Sequence, residues 1–220
     1  MADYKLIGKI DLGKDVIIGD YAIIGIPPKN FSGEPRTIIG DGGNIRSHTV
    51  IYGGNTIGMG FNTGHNTIIR EGNIIGDNVS IGSNTTLEIG NRIGNNVKIH
   101  SNCIIGEYVI IEDYAWIGPS VITLATLHPP CPKYEECAKH DPVTIKKNAK
   151  IGGNVTLTPG VTIGENSLVG AGAVVTKNIP PNSVAVGSPA RVIKGIDELE
   201  CKEPYFSKAY EWEDKNRKEW

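Results

Sequence analysis

His128 is the side chain whose setting most invites chemistry. It stands in Leu127-His128-Pro129-Pro130, within a segment from Thr123 to Thr144 that holds four prolines, two cysteines and two histidines. A neutral imidazole near pH 7 can take a proton from an attacking hydroxyl or ammonium. The plainer reading is a loop imidazole bonded to a carbonyl. Cys131 and Cys137, with His128 and His140 nearby, supply donors of the kind zinc takes in a tetrahedron. Their Cys-x5-Cys spacing is looser than a zinc knuckle, so a structural zinc, a disulfide and free thiols all stay open. A metal on His128 would bar it from acting as a base.

These residues need a scaffold, and the chain announces one through its period. Stepping by six from Ile39 gives Ile39, Ile45, Ile51, Ile57, Thr63, Ile69, Ile75, Ile81, Leu87, Ile93, Ile99, Ile105, Ile111 and Ile117, of which thirteen are Ile or Leu. A second run reads Ile145, Ile151, Leu157, Ile163, Val169 and Val175, and a short first one reads Leu6, Leu12, Ile18 and Ile24. A period of six is neither helical nor that of a plain alternating strand. Three residues after each aliphatic sits Gly or Asn, in ten of fourteen cases and then six of six. Those residue types accept φ > 0, so each hexad reads as a short strand and a corner. The position after the corner is often small or β-branched, as at Thr67, Val79, Cys103, Val109, Val155 and Ala173, and is expected to point inward. Three strands and three corners close a turn of eighteen residues. Stacked turns make an all-β parallel helix with an aliphatic interior.

Residues eighteen apart then lie one above the other. Arg70 and Glu88 stack on an outer face and are expected to pair. Ser47, His65, Ser83 and Ser101 form another column, beside the column of Arg46, Gly64, Gly82, His100 and Gly118. His65, Arg70, Glu88 and His100 are therefore the candidates for holding a polar substrate such as a sugar, against the alternative of a solvated surface. His100 is also the alternative base. His48 falls on a corner and reads as structural, and Cys103 as core.

The period breaks at 26–36 and at 123–144, both rich in Pro, which read as loops leaving the coil. Residues 1–195 thus form the coil. Residues 196–220 are charged and lack the period; Glu198, Leu199, Tyr205, Phe206, Tyr210 and Trp212 would give a helical cap with a weak aromatic face, placed on the coil end or on a neighbour.

Composition excludes several classes. Lys plus Arg is 22 against 24 for Asp plus Glu, a net charge of −2, which speaks against nucleic acid as a partner. The apolar runs are a few residues long, too short to span a membrane. The N-terminus shows no apolar leader, so the expected place is the cytoplasm, and four cysteines there make no disulfide framework.

The hexads Ile75-Gly76-Asp77-Asn78-Val79-Ser80 and Ile163-Gly164-Glu165-Asn166-Ser167-Leu168 resemble those of the hexapeptide-repeat transferases, and the resemblance covers roughly residues 6–195. It implies a left-handed coil and a homotrimer in which CoA lies between neighbouring coils. Thr176-Lys177-Asn178-Ile179-Pro180-Pro181 and the stretch Gly187-Ser188-Pro189-Ala190-Arg191-Val192-Ile193 resemble the closing segment of hexapeptide acetyltransferases. That implies acetyl-CoA as co-substrate, with Thr176, Lys177 and Arg191 at its adenine and phosphate end. It further implies that the small residues Gly152, Gly153, Gly170, Ala171 and Ala173 leave room for the pantetheine arm. The His-Pro placed before Val143-Thr144-Ile145 is similar to that of maltose and galactoside acetyltransferases, where the His is the general base. The insert Cys131 to Cys137 departs from them. Gly64 to Gly72 resembles sugar N-acetyltransferases of surface-glycan pathways, which implies an amino group on a nucleotide-linked sugar as acceptor. The competing readings are a zinc lyase like the γ-class carbonic anhydrases and a non-catalytic scaffold.

Overall fold

The computed structural model describes residues 3–29, 33, 35–201, 206 and 208–210. Its strands are short because a corner follows every few residues. Each strand runs parallel to the one eighteen residues on, as where Ile68 faces Thr86 and Thr86 faces Ile104. Three sheets result, of nine, eight and ten strands. The first face runs from Lys5–Leu6 to Val174–Val175, the second from Ile10–Leu12 to Thr162–Ile163, and the third from Ile17–Ile18 to Ser183–Val186. Arg191–Gly195 then closes the third face as an antiparallel edge on Ser183–Val186. The chain is a parallel β-helix of three-sided turns.

The hexad explains the interior. Every member of the two long runs is at most 4% exposed, Thr63 included. Burying one such Ile side chain contributes roughly 1.5–3 kcal/mol. The residues after the corners, from Thr49 to Ala173, are buried beside them. The opening run behaves differently. Ile24 is fully buried, but Leu6 and Leu12 are 45% and 37% exposed. They keep the register, yet among the described residues no coil lies below to cover them.

All fourteen corners of the first long run adopt positive φ, including the four without Gly or Asn: His48 (62°), Tyr108 (58°), Tyr114 (61°) and Ser120 (60°). Left-handed backbone at such residues costs roughly 1–2 kcal/mol each, so the coil imposes its corner on residues that do not favour it. His48 also stacks on Tyr21, with ring centroids 5.0 Å apart. Asn178 departs from the pattern; it is absent from the left-handed corners, and its side-chain oxygen accepts the Thr162 N–H at 2.8 Å.

The second break is a true insertion. Ile110 pairs with Thr144, thirty-four residues on instead of eighteen, so the coil resumes in register across the loop. Within the loop, Tyr134–His140 form a helix of seven residues, with Glu135 and Glu136 in its first turn and Lys139 and His140 in its last. That order suits the helix dipole, but so short a helix is marginal alone. Docking supports it. Ala138 is buried, and Glu135 accepts from both the Tyr108 hydroxyl (2.8 Å) and Lys139 (2.7 Å).

At 26–36, Asn30, Phe31, Ser32 and Glu34 lie outside the described residues. The helical cap expected over 196–220 also falls largely outside them, with Tyr205 and Trp212 among the residues not described. What is described there is a 3-10 turn, Ile196–Glu198, and a turn at 208–210. Tyr210 lies under the Lys150 ammonium, 4.4 Å from ring centre to nitrogen. Tyr210 thus meets the third face of the coil.

Candidate functional site

The candidate side chains divide between two corners of the coil. The first corner, between faces one and two, carries Tyr52, Arg70 and Glu88 in one column. The Arg70 guanidinium donates to Glu88 (3.2 Å) and to both oxygens of Glu71 (3.0 and 3.1 Å), and lies 5.3 Å over the Tyr52 ring. The expected Arg70–Glu88 pair is present, and Glu71 joins it. Its hydrogen bonds to Glu71 hold the Arg70 guanidinium above its ordinary value.

Behind this column runs a ladder of buried asparagines that the hexad reading passed over. Asn55, Asn73 and Asn91 are completely buried. Each side-chain oxygen accepts the backbone N–H one coil up, at Asn73, Asn91 and Val109, all at 2.8 Å. Each side-chain NH2 donates to a carbonyl of its own coil, at Tyr52, Arg70 and Glu88, all at 2.7 Å. The backbone that presents Arg70 and Glu88 is thereby braced from inside. The eighteen-residue spacing of these asparagines was the available signal.

One coil above Glu88, Glu107 sits against the loop helix. Burial, and then the nearby carboxylates of Glu88 and Glu135, push its carboxyl above the usual range. Its Oε2 is buried with no hydrogen-bond partner among the described residues.

The loop leaves the coil at this corner and closes a cavity of about 400 Å³. Its lining includes Ala125, Leu127, His128, Cys131, Cys137, His140, Asp141 and Pro159. His128 is exposed; the loop bonds through its backbone, the N–H reaching the Thr126 hydroxyl at 3.3 Å and the carbonyl accepting from Cys131 at 2.8 Å. Thr176 and Lys177 occupy the same corner one coil above Pro159, both exposed.

The third corner, between faces three and one, holds the rest. His65 Nδ1 is 2.8 Å from the Ser47 hydroxyl, and the backbone N–H of His65 donates to the Ser83 hydroxyl at 2.9 Å. His100 stands two coils above in the neighbouring column, edge-on to Trp116 with centroids 4.7 Å apart. Burial, with Lys98 nearby, lowers its tendency to protonate, and its Nε2 has no hydrogen-bond partner among the described residues. The column of His100 is otherwise mostly glycine, because the next coil lies too close for a side chain. A Cβ at Gly82 would fall 2.3 Å from the Ser101 nitrogen, and one at Gly152 would fall 2.5 Å from that of Ala171. Gly153, Gly170 and Ala171 continue this narrow track. Arg191 adjoins it, since it pairs with Val186, whose side chain would meet a Cβ on Gly170 at 2.8 Å.

The candidates for substrate contact fall into two sets, His65 with His100 and Arg70 with Glu88. The two sets lie at opposite ends of one strand, which at ~3.3 Å per residue is a separation of roughly 15–20 Å. Of the readings left open for Cys131 and Cys137, the structure has free thiols. Both thiols line the cavity, but no group of three or more His, Cys, Asp or Glu is placed to hold an ion among the described residues. All four cysteines are free, with Cys103 fully buried in the core. Ala173 is likewise fully buried and so stands apart from the surface track of glycines.

Two family models match the chain. Residues 72–107 match a hexapeptide repeat of succinyl-transferase, and residues 142–177 match a bacterial transferase hexapeptide of six repeats. Both stretches are thus similar to the hexapeptide repeats of transferases. Among curated relatives, the galactoside O-acetyltransferase of Escherichia coli K12 is 42% identical over 116 residues, 50% of this chain and 55% of that protein. A putative acetyltransferase of Staphylococcus aureus is 56% identical over 59 residues, 27% of this chain and 30% of that one. The matches thus span about half or less of these relatives' length. Of solved structures, LpxA from Acinetobacter baumannii superposes with a TM-score of 0.64 at 20% identity, over 89% of this chain and 73% of that one. The polySia-specific acetyltransferase NeuO superposes with a TM-score of 0.55 at 20% identity, over 99% and 94%. At such identity the likeness concerns the fold, a left-handed parallel β-helix.

Proposed function

We propose that the protein transfers an acetyl group from acetyl-CoA to an amino or hydroxyl group of a sugar, with His128 as the general base. The observation that carries this reading is the cavity of about 400 Å³ in which the loop sets His128 against the coil. No hydrogen bond or ion pair holds its imidazole among the described residues. The names of the relatives, galactoside O-acetyltransferase and acetyltransferase, support the same reaction class.

In the proposed reaction the acceptor attacks the thioester carbonyl, His128 removes its proton, and a backbone N–H steadies the developing oxyanion. The chain's surface fits the co-substrate at two places. Thr176 and Lys177 offer a hydroxyl and a cation for phosphates, and Arg191 offers a second cation. The track at Gly152, Gly153, Gly170 and Ala171 admits a narrow chain against backbone. These places lie on different corners, so a complete site needs a neighbouring copy. A homotrimer would set the third corner of one chain against the first corner of the next. The outer residues of face one suit such a contact: Ile68 and Ile104 are 39% and 46% exposed, with Val50 and Ile122 in line. His100, kept neutral, would then reach the acceptor from the adjacent copy. Arg70 and Glu88 would face a polar acceptor such as a nucleotide-linked amino sugar, and the cytoplasm would supply it.

The test is acetyl-CoA-dependent thiol release with a panel of nucleotide amino sugars and simple sugars, for wild type and His128→Ala. Release that disappears in the variant while CoA still binds supports the reading. Release that survives moves the base to His100. No release and no CoA binding overturns the transferase reading.

A further inference from the structure

The cavity beside His128 has a charged wall on its far side. Asp141 follows the loop helix directly, and its N–H caps that helix by donating to the Cys137 carbonyl at 3.0 Å. Its carboxylate lies over the corner at Gly160, whose φ is +76°; a Cβ there would be 2.2 Å from Asp141 Oδ2. The missing side chain at Gly160 is what lets the carboxylate rest on the coil and border the cavity. On the loop helix itself, Glu135 is paired with Lys139 and Tyr108. The Asp141 carboxylate has no hydrogen-bond or ion-pair partner among the described residues. It thus meets the same space as His128 with its charge uncompensated.

Resting on the transferase reading, we propose that Asp141 makes this site select an amine over a hydroxyl acceptor, by holding the acceptor as its ammonium. A carboxylate attracts a cation more strongly than it does a neutral hydroxyl, because the hydrogen bond is charge-assisted. The proton balance follows. His128 takes one proton from the ammonium, the free amine forms the N–C bond as the C–S bond breaks, and the second amine proton ends on the departing thiolate. The products are the amide, the thiol and a protonated His128, which returns its proton to solvent. A hydroxyl acceptor has no charge for Asp141 to hold and one proton for His128 to take.

The experiment compares a sugar amine with its hydroxyl counterpart, using wild type, Asp141→Asn, Asp141→Glu and Gly160→Ala, with the two Asp141 variants checked for an unchanged melting profile and Gly160→Ala assayed well below its own, lower melting temperature. In Asp141→Asn, kcat/KM for the amine should fall about tenfold to a hundredfold, mostly through KM, and for the hydroxyl by less than about threefold. Asp141→Glu should restore part of the amine preference. Gly160→Ala, which displaces the carboxylate, should reproduce the amine defect. Equal losses for both acceptors, or no loss for the amine, overturn the proposal. Wild type with thiol release but no amine preference overturns it while leaving the transferase reading intact. Wild type with no thiol release and no CoA binding overturns both.

Discussion

Replacing Asn73 by Ala tests the idea that the buried ladder is what stiffens the first corner. The substitution removes two hydrogen bonds made by the side chain, to the Asn91 N–H at 2.8 Å and to the Arg70 carbonyl at 2.7 Å. The Asn91 N–H is buried and the Arg70 carbonyl part-buried, and both lose this partner. An orphaned buried backbone group costs roughly 1–3 kcal/mol, so the pair costs about 2–5 kcal/mol, after allowing for partial relaxation. At this chain length each kcal/mol moves the melting temperature by about 2–4 °C, which gives a drop of roughly 4–20 °C. The exposed ladder supplies the control. Asn78 donates to Asn96 at 3.3 Å in solvent, and its replacement by Gly keeps the left-handed corner and should cost under about 1 kcal/mol. Calorimetry of both variants decides between them. A drop below about 2 °C for Asn73→Ala, or equal drops for the two, would refute the claim that burial makes the inner ladder the stronger one. Asn73→Asp is a useful companion: it keeps an acceptor for Asn91 but loses the donor to Arg70, and should fall no less far if its charge stays buried.

Three other outcomes are expected. His100 has a folded pKa below its ordinary value, so protonation favours the unfolded chain; stability should decline as pH falls below about 6.5, and His100→Gln should flatten that decline in denaturant melts at pH 5 to 7. Glu107 has a raised folded pKa, so the stability its neutral form gives is present below about pH 4.5 and lost as pH rises through the folded value. Glu107→Gln should therefore melt higher than wild type at pH 7 and close to it at pH 4. Ser120→Asn places a tolerant residue at a corner with φ of 60° and should stabilise by about 0.5–1 kcal/mol, seen as a higher urea midpoint.

How much of this was legible depends on which constraint each residue answers to. Ile69, Leu87 and Ile105 meet one requirement, to fill the inside of a three-sided turn, so the period alone locates them. The corners at Tyr108 and Ser120 share the backbone of Asn78 and Asn84, but their residue types do not show it; stacking on the neighbouring coils sets the conformation. Leu6 and Leu12 are in register and still exposed, because a period fixes which way a side chain points and not whether another coil covers it. Asn55, Asn73 and Asn91 answer to two requirements, since they occupy inward slots and are polar. Only the matching of donors to acceptors between coils makes sense of them. The loop helix gave no readable signal: seven residues without an apolar face, of which Ala138 alone is buried.

The candidate site shows the same division. The eighteen-residue rule places Arg70 over Glu88, and the structure agrees at 3.2 Å. It places His65 and His100 in adjacent columns equally well. What the rule does not convey without following the chain round the turn is that His100 and Gly106 are separated by a whole strand. A column is a one-dimensional object, and two columns belong to one site only if they meet at one corner. By that criterion His128, Asp141, Thr176 and Lys177 share one corner of a single chain, and His100 with the glycine track lies at another. The distinction bears directly on variants. A change at His100 that acts only through a neighbouring copy should lose its effect in mixed assemblies, where an active His128 chain borrows an intact third corner from a His128→Ala partner. Mixing inactive His128→Ala and inactive His100→Ala proteins should then restore up to about a quarter to a third of the sites in a trimer. If both sets acted within one chain, no mixture of the two variants would recover activity.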